Sequence, residues 1–128
     1  TPPPKPRARQ RDHFVVCFLV EDAGRVLVET RGPSGLWAGM VQPPSLESER
    51  EIGLEQAAAA LGVRDPRPVG AFVHQTTHRR VAFTVARGVM GASGDRRWAR
   101  PDELSGLAVS NAHRRVFGFL GAPAPAVA

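Results

Sequence analysis

The chain has 128 residues, 42% of them hydrophobic, enough for one domain with a core of its own. Its formal charge of +5 is almost wholly arginine, since Lys5 is the only lysine; arginine suits bidentate phosphate contact, but the matching abundance of alanine, glycine and proline is equally the mark of a GC-rich coding sequence. No apolar run can span a bilayer, the first residues lack the apolar core of a signal peptide, and the single cysteine excludes a disulfide framework, a zinc site or an iron–sulfur cluster built from this chain alone.

Thr1 stands where an initiating methionine is expected, which points to a processed chain or an excised domain. Residues 1–12 (TPPPKPRARQRD) are rich in proline and arginine and read as an extended linker or basic arm. His13 to Val20 is a nearly continuous apolar run, fit for a central strand buried on both faces, with Cys17 as a core thiol inside it. A turn signal at Glu21-Asp22-Ala23-Gly24 and the alternation of Val26, Val28 and Thr30 predict a hairpin of two strands. The glycines and Pro33 of residues 31–40 predict a loop, with Trp37 plugging it onto the body.

Met40 and Val41 resume an extended segment that Pro43-Pro44 ends, and Ser45 to Arg50 is polar and acidic. From about Ser48 to Leu61 the pattern is helical, with Leu54, Ala58 and Leu61 on one face, Ile52 and Ala57 close by, and Gly62 at the C′ position. Two strands follow, carried by the alternation of Val69, Ala71 and Val73 and then of Val81, Phe83 and Val85. Between them lies the polar junction His74-Gln75-Thr76-Thr77-His78-Arg79-Arg80. Gly88 to Gly94 reads as a loop and Arg96 to Ala99 as a short strand with Trp98 inward. Pro101 to Leu104 reads as a first helical turn, and Ser110 as the N-cap of a last helix carrying Ala112, Val116, Phe119 and Leu120. His113 and Arg114 are expected to face solvent, and residues 122–128 to fray. The sum is an α/β (α+β) sandwich, a mixed sheet with two main helices spanning residues 13–121.

Three blocks in order carry a resemblance. Arg25 to Thr30, then Gly35-Leu36-Trp37-Ala38-Gly39, then Pro43, resemble the start of a Nudix-like fold. His74-Gln75-Thr76-Thr77-His78 before a strand resembles an H-x-[FLT]-[ST]-H loop, and Trp98, Glu103-Leu104 and Ala112-His113-Arg114 resemble the close of the same branch. That branch is the C-terminal, 8-oxoguanine-recognising domain of MutY-type adenine DNA glycosylases. The resemblance covers His13 to Leu120. It implies base excision repair as the process and duplex DNA containing 8-oxoguanine opposite adenine as the partner. A glycosylase domain in the same parent chain is a second implied partner. An iron–sulfur cluster belongs only to that N-terminal domain, so no cofactor is expected here. It also implies a cytoplasmic, nucleoid-associated bacterial protein with no membrane contact.

An active Nudix enzyme holds Mg²⁺ with several glutamates, because a hard cation needs carboxylate oxygens. Anchoring the end of the Nudix pattern on Gly62-Val63 places Glu47 at its isolated glutamate, Glu55 at its arginine, Gln56 at the next glutamate, and Ala59 and Ala60 at the paired metal glutamates. Alanine offers no oxygen, so the domain is not expected to be an enzyme, and the acidic stretch reads as a solvated face. A shifted register would recruit Glu51 and Glu55, at i and i+4 of the expected helix. The alternatives are accordingly a Nudix pyrophosphohydrolase acting on oxidised nucleotides and an inert interaction module on the same fold.

8-Oxoguanine carries an oxygen at C8 and a hydrogen on N7, so its edge donates where guanine accepts. One hydroxyl can serve both atoms, having a hydrogen to donate and lone pairs to accept. The resemblance assigns this role to Thr77, backed by His78, with Thr76 at a position often apolar or aromatic in relatives. Arg79 and Arg80 are candidate phosphate contacts, and Arg31, Ser34 and Trp37 complete the candidate DNA-binding set. The bland reading of Thr76-Thr77 is a turn whose hydroxyls bond their own backbone, and His74 is expected to pack at the strand end. A His74–His78 metal site lacks a third ligand.

Overall fold

The computed structural model describes residues 11–92 and 94–120. In chain order these form β1 (Arg11–Leu19), β2 (Glu21–Asp22), β3 (Arg25–Thr30), β4 (Val41–Gln42), β5 (Ser45–Ser48), α1 (Leu54–Leu61), β6 (Arg64–Gln75), β7 (Arg79–Val89), β8 (Arg97–Ala99), a 3-10 helix Pro101–Gly106 and α2 (Asn111–Phe117). One sheet has the order β5-β1-β7-β6, with β1 and β7 parallel and the outer pairings antiparallel. The second has the order β2-β3-β4, with β8 also pairing β3. This is the mixed α+β sandwich that the patterning predicts. Of the expected arm, only Arg11 and Asp12 are among the described residues, and they open β1; the expected tail lies outside them.

The apolar run of β1 explains the layering. Val15 to Val20 are each at most 2% exposed, so the strand is covered on both faces. Val15, Cys17 and Leu19 meet Val26 and Val28 of β3, Val81, Phe83 and Val85 of β7, and Ala112 and Val116 of α2 between the sheets. Val16 and Phe18 meet Ala57 and Ala58 of α1 on the other side. Gly88 permits this second packing, since a Cβ there would stand 2.2 Å from Val63 Cγ1.

Five expectations are corrected. The first hairpin joins β2 to β3, through Ala23 and Gly24 at φ 51° and 76°, while β1 lies in the other sheet. The helix expected from Ser48 begins at Leu54. Ser45 to Ser48 instead pair with β1, because an open sheet edge satisfies their backbone better than a turn of isolated helix would. β6 starts earlier than expected and takes in Pro66 and Pro68, which an edge strand tolerates, and its bulge between Pro68 and Gly70 shifts the phase. Phe72, not Ala71 or Val73, therefore faces the core, stacked on Phe83 at 4.8 Å, and Val73 is 40% exposed. β7 runs on to Val89, into the expected loop. α2 ends at Phe117, with Phe119 and Leu120 in the turn beyond it, still packed on the core.

Two helix termini follow their sequence signals. Gly62 closes α1 at φ 78°, and the hydroxyl of Ser110 accepts from His113 N at 3.0 Å to cap α2. No helix among the described residues is long and apolar enough to cross a membrane.

Candidate functional site

Antiparallel pairing carries β6 and β7 as far as Gln75 opposite Arg80, leaving a short polar connection at the tip. Thr76 builds it. Its backbone N donates to Arg79 O at 2.8 Å, its hydroxyl donates to the same carbonyl at 3.3 Å, and Arg79 N donates to that hydroxyl at 3.0 Å. Thr77 and His78 are exposed at the apex. Among the described residues nothing accepts from or donates to the Thr77 hydroxyl. The two threonines thus divide the roles that their sequence leaves open: Thr76 takes the backbone-bonding one and Thr77 is presented outward. From the neighbouring strand, Arg11 N donates to His78 O at 3.1 Å and ties the turn to the start of β1.

Arg79 and Arg80 leave the turn on β7, where the parallel register sets Arg11 beside Arg79 and Asp12 beside Arg80. Arg80 is exposed and Arg79 half-buried. Sequence reasoning missed Arg11 as a neighbour of this turn; the only hint in the chain is that it is the last base of an arm leading into a strand.

The loop 32–40 lies against the inner face of the same sheet. Its guanidinium anchor is Arg31, which donates from Nε to Leu36 O at 2.9 Å, from Nη1 to Gln42 Oε1 at 2.8 Å and to Glu47 Oε1 at 2.6 Å, and from Nη2 to Glu47 Oε2 at 3.1 Å. Gln42 passes the network on to Glu29 Oε2 at 2.7 Å, and Arg96 completes it on Glu29 Oε1 at 3.0 Å. Four of the five donors of Arg31 are engaged internally. The structure therefore places it as the clamp of the loop that bears Ser34 and Trp37, not on the open surface. Ser34 is exposed on that loop.

Trp37 has the left-handed φ of 55°, uncommon for a bulky residue, and its ring is turned inward. It lies 5.8 Å from His74, 5.9 Å from Phe83 and 5.0 Å from His113. Trp37 is thus the plug that its loop position suggests, and His74 packs at the strand end against it.

His113 departs from expectation. It is fully buried, with Ser110 Oγ 2.7 Å from Nδ1 and the Trp37 and Phe83 rings edge-on to it. Burial first, then the positive charge of Arg31, pushes its pKa down to about 4, with Glu47 opposing. The position reads as polar in sequence, but its place on the inner stripe of α2 beside Ala112 and Val116 decides the matter. Arg114 is exposed, as expected.

The metal positions can be inspected directly. Ala59 and Ala60 are exposed on α1, and Glu47 on β5 is held by Arg31. Glu51 precedes the helix, so Glu51 and Glu55 do not share a helical face. Among the described residues no group of three or more His, Cys, Asp or Glu side chains is placed to hold a metal ion.

The family model for the NUDIX domain matches residues 15–118. The chain belongs to the Nudix domain family. Its fold is similar to that of the C-terminal domain of mouse MUTYH, solved in complex with human PCNA (22% identity over 87% of this chain and 88% of that one, TM-score 0.66). It is similar also to a MutT NUDIX hydrolase from Burkholderia pseudomallei (15% identity, 87% and 99% coverage, TM-score 0.68). The E. coli ORF135 protein is a third such structure (18% identity, 91% and 96% coverage, TM-score 0.64). At these identities the likeness establishes the fold.

Proposed function

We propose that this Nudix-fold domain recognises 8-oxoguanine opposite adenine in duplex DNA, as the C-terminal domain of an A/G-specific adenine DNA glycosylase, and performs no hydrolysis itself. The observation that carries the reading is the Thr77 hydroxyl, exposed and without a partner among the described residues, at the apex of a turn whose geometry Thr76 already maintains. That hydroxyl accepts from N7–H of the lesion and donates to O8, a pair of contacts that guanine, with a bare N7 and no O8, does not offer. His78, pinned through its carbonyl, orients the turn, and Arg79 and Arg80 supply phosphate contacts that set register without reading sequence. Arg31 and Trp37 act behind the surface by holding the loop that carries Ser34. The fold likeness to the mouse MUTYH domain supports this reading.

The likeness to the MutT hydrolase favours a second reading, a pyrophosphohydrolase of oxidised nucleotides. Exposed alanines at both paired metal positions speak for the first. In the test, the chain is titrated with duplexes carrying adenine opposite 8-oxoguanine or opposite thymine. Thr77→Ala is expected to erase a lesion preference worth about 1–3 kcal/mol while leaving affinity for the ordinary duplex unchanged. Equal preference in wild type and variant would sink the role of Thr77. Mg²⁺-dependent turnover of 8-oxo-dGTP by the wild-type chain would replace the reading with the hydrolase.

A further inference from the structure

The parallel pairing of β1 with β7 sets Arg11 directly beside Arg79. Side chains alternate along a strand, so Arg11 projects with His13 and Val15, and Arg79 with Val81 and Phe83, onto one face. Two like charges on neighbouring strands repel unless an anion lies between them. Among the described residues neither arginine closes an ion pair. Asp12 and Glu49 line an open recess of about 450 Å³ together with Arg11, yet neither carboxylate pairs with it. Arg31, Arg96 and Arg100 each meet a carboxylate, whereas Arg11 and Arg79 stand side by side at the tip of the sheet. The pair also sits at the turn that presents Thr77, because Arg11 N–H holds the carbonyl of His78.

We infer that Arg11 and Arg79 form a two-pronged clamp for one backbone phosphate group of duplex DNA, next to the nucleotide that Thr77 reads. This rests on the reading of the turn as a DNA contact and adds a residue, Arg11, and a division of labour. The clamp supplies affinity that is blind to the base, and Thr77 supplies discrimination. Arginine suits the task because its planar fork meets phosphate oxygens in pairs.

The test is the salt dependence of binding by the 128-residue chain to lesion-containing and to undamaged duplex. Each phosphate contact contributes about 0.9 to the slope of log affinity against log salt. Arg11→Gln and Arg79→Gln are each expected to lower the slope by part of that amount and the double variant by about the whole of it, equally on the two duplexes and with the lesion preference unchanged. Arg64→Gln, at the far end of β6, is expected to leave the slope alone. Arg11→Lys and Arg79→Lys, which keep the charge, are expected to retain most of it, and thermal melting confirms that each variant is folded. Wild-type slopes in folded Arg11→Gln and Arg79→Gln chains would overturn the clamp. If the wild-type chain shows no lesion preference while the slopes still fall, the lesion reading fails and the clamp stands.

Discussion

Arg31 grips Glu47 with both of its terminal nitrogens, at 2.6 and 3.1 Å, across a gap of sixteen residues in sequence. The same guanidinium holds the loop 32–40 through Leu36 O. Arg31→Ala is expected to destabilise the domain by about 1–3 kcal/mol, the cost of leaving half-buried charged acceptors unmet. Arg31→Lys should recover little, since one ammonium cannot span Leu36, Gln42 and Glu47 together. Urea unfolding measures both, and limited proteolysis should show earlier cleavage within residues 32–40. Full stability in the alanine variant would show that the clamp is idle.

Thr76 and Thr77 should separate stability from recognition. Thr76→Val removes a hydroxyl that both donates and accepts within the turn, and is expected to cost about 1 kcal/mol. Thr77→Val removes an exposed hydroxyl with no partner among the described residues, and stability should stay within about 0.5 kcal/mol of wild type. Equal melting losses in the two variants would contradict the division drawn from the turn geometry.

His113 gives the domain a pH dependence of known sign. Its folded pKa is lowered to about 4 from an ordinary 6.5 by burial and by Arg31. Between those values the unfolded chain takes up a proton that the folded one refuses. Its contribution is therefore complete above pH 6.5 and is lost as pH falls toward 4, by roughly 3 kcal/mol at most. Comparing urea midpoints of wild type and His113→Asn between pH 7 and pH 4 isolates this term from the other titrating groups. The variant should show a shallower decline; parallel curves would remove His113 as the cause.

Cys17 should be inert in the native state. Burial pushes its thiol pKa up to about 12, against a lowering by the hydrogen bond from Ser45 Oγ at 3.2 Å. Thiolate is the reactive form, so a disulfide reagent at pH 8 is expected to label the chain only at the rate of unfolding. Rapid stoichiometric labelling of folded protein would show that β1 opens.

Much of the architecture is legible in residue pattern alone. The unbroken apolar run of β1, the glycine that ends α1 and the serine that starts α2 each state a local physical requirement, and each is met. What pattern does not reveal is settled by distant partners. Ser45 to Ser48 become a strand only because β1 offers them an edge. The phase of β6 depends on a bulge that no alternation rule anticipates, and His113 is buried by the rings that close over it. The candidate turn is visible as two hydroxyls between alternating strands, but which hydroxyl serves the backbone depends on its geometry. The Arg31–Glu47 pair and the Arg11–Arg79 pair join segments too far apart in sequence for any local reading to unite them.

The bond from Arg11 N to His78 O fixes where the polypeptide enters the domain: at the tip of the turn, not at the opposite end of the sheet. A pull on the backbone at Arg11 would therefore be felt first by the carbonyl of His78 and by the parallel seam of β1 with β7, so the turn that bears Thr77 is mechanically coupled to the point of entry.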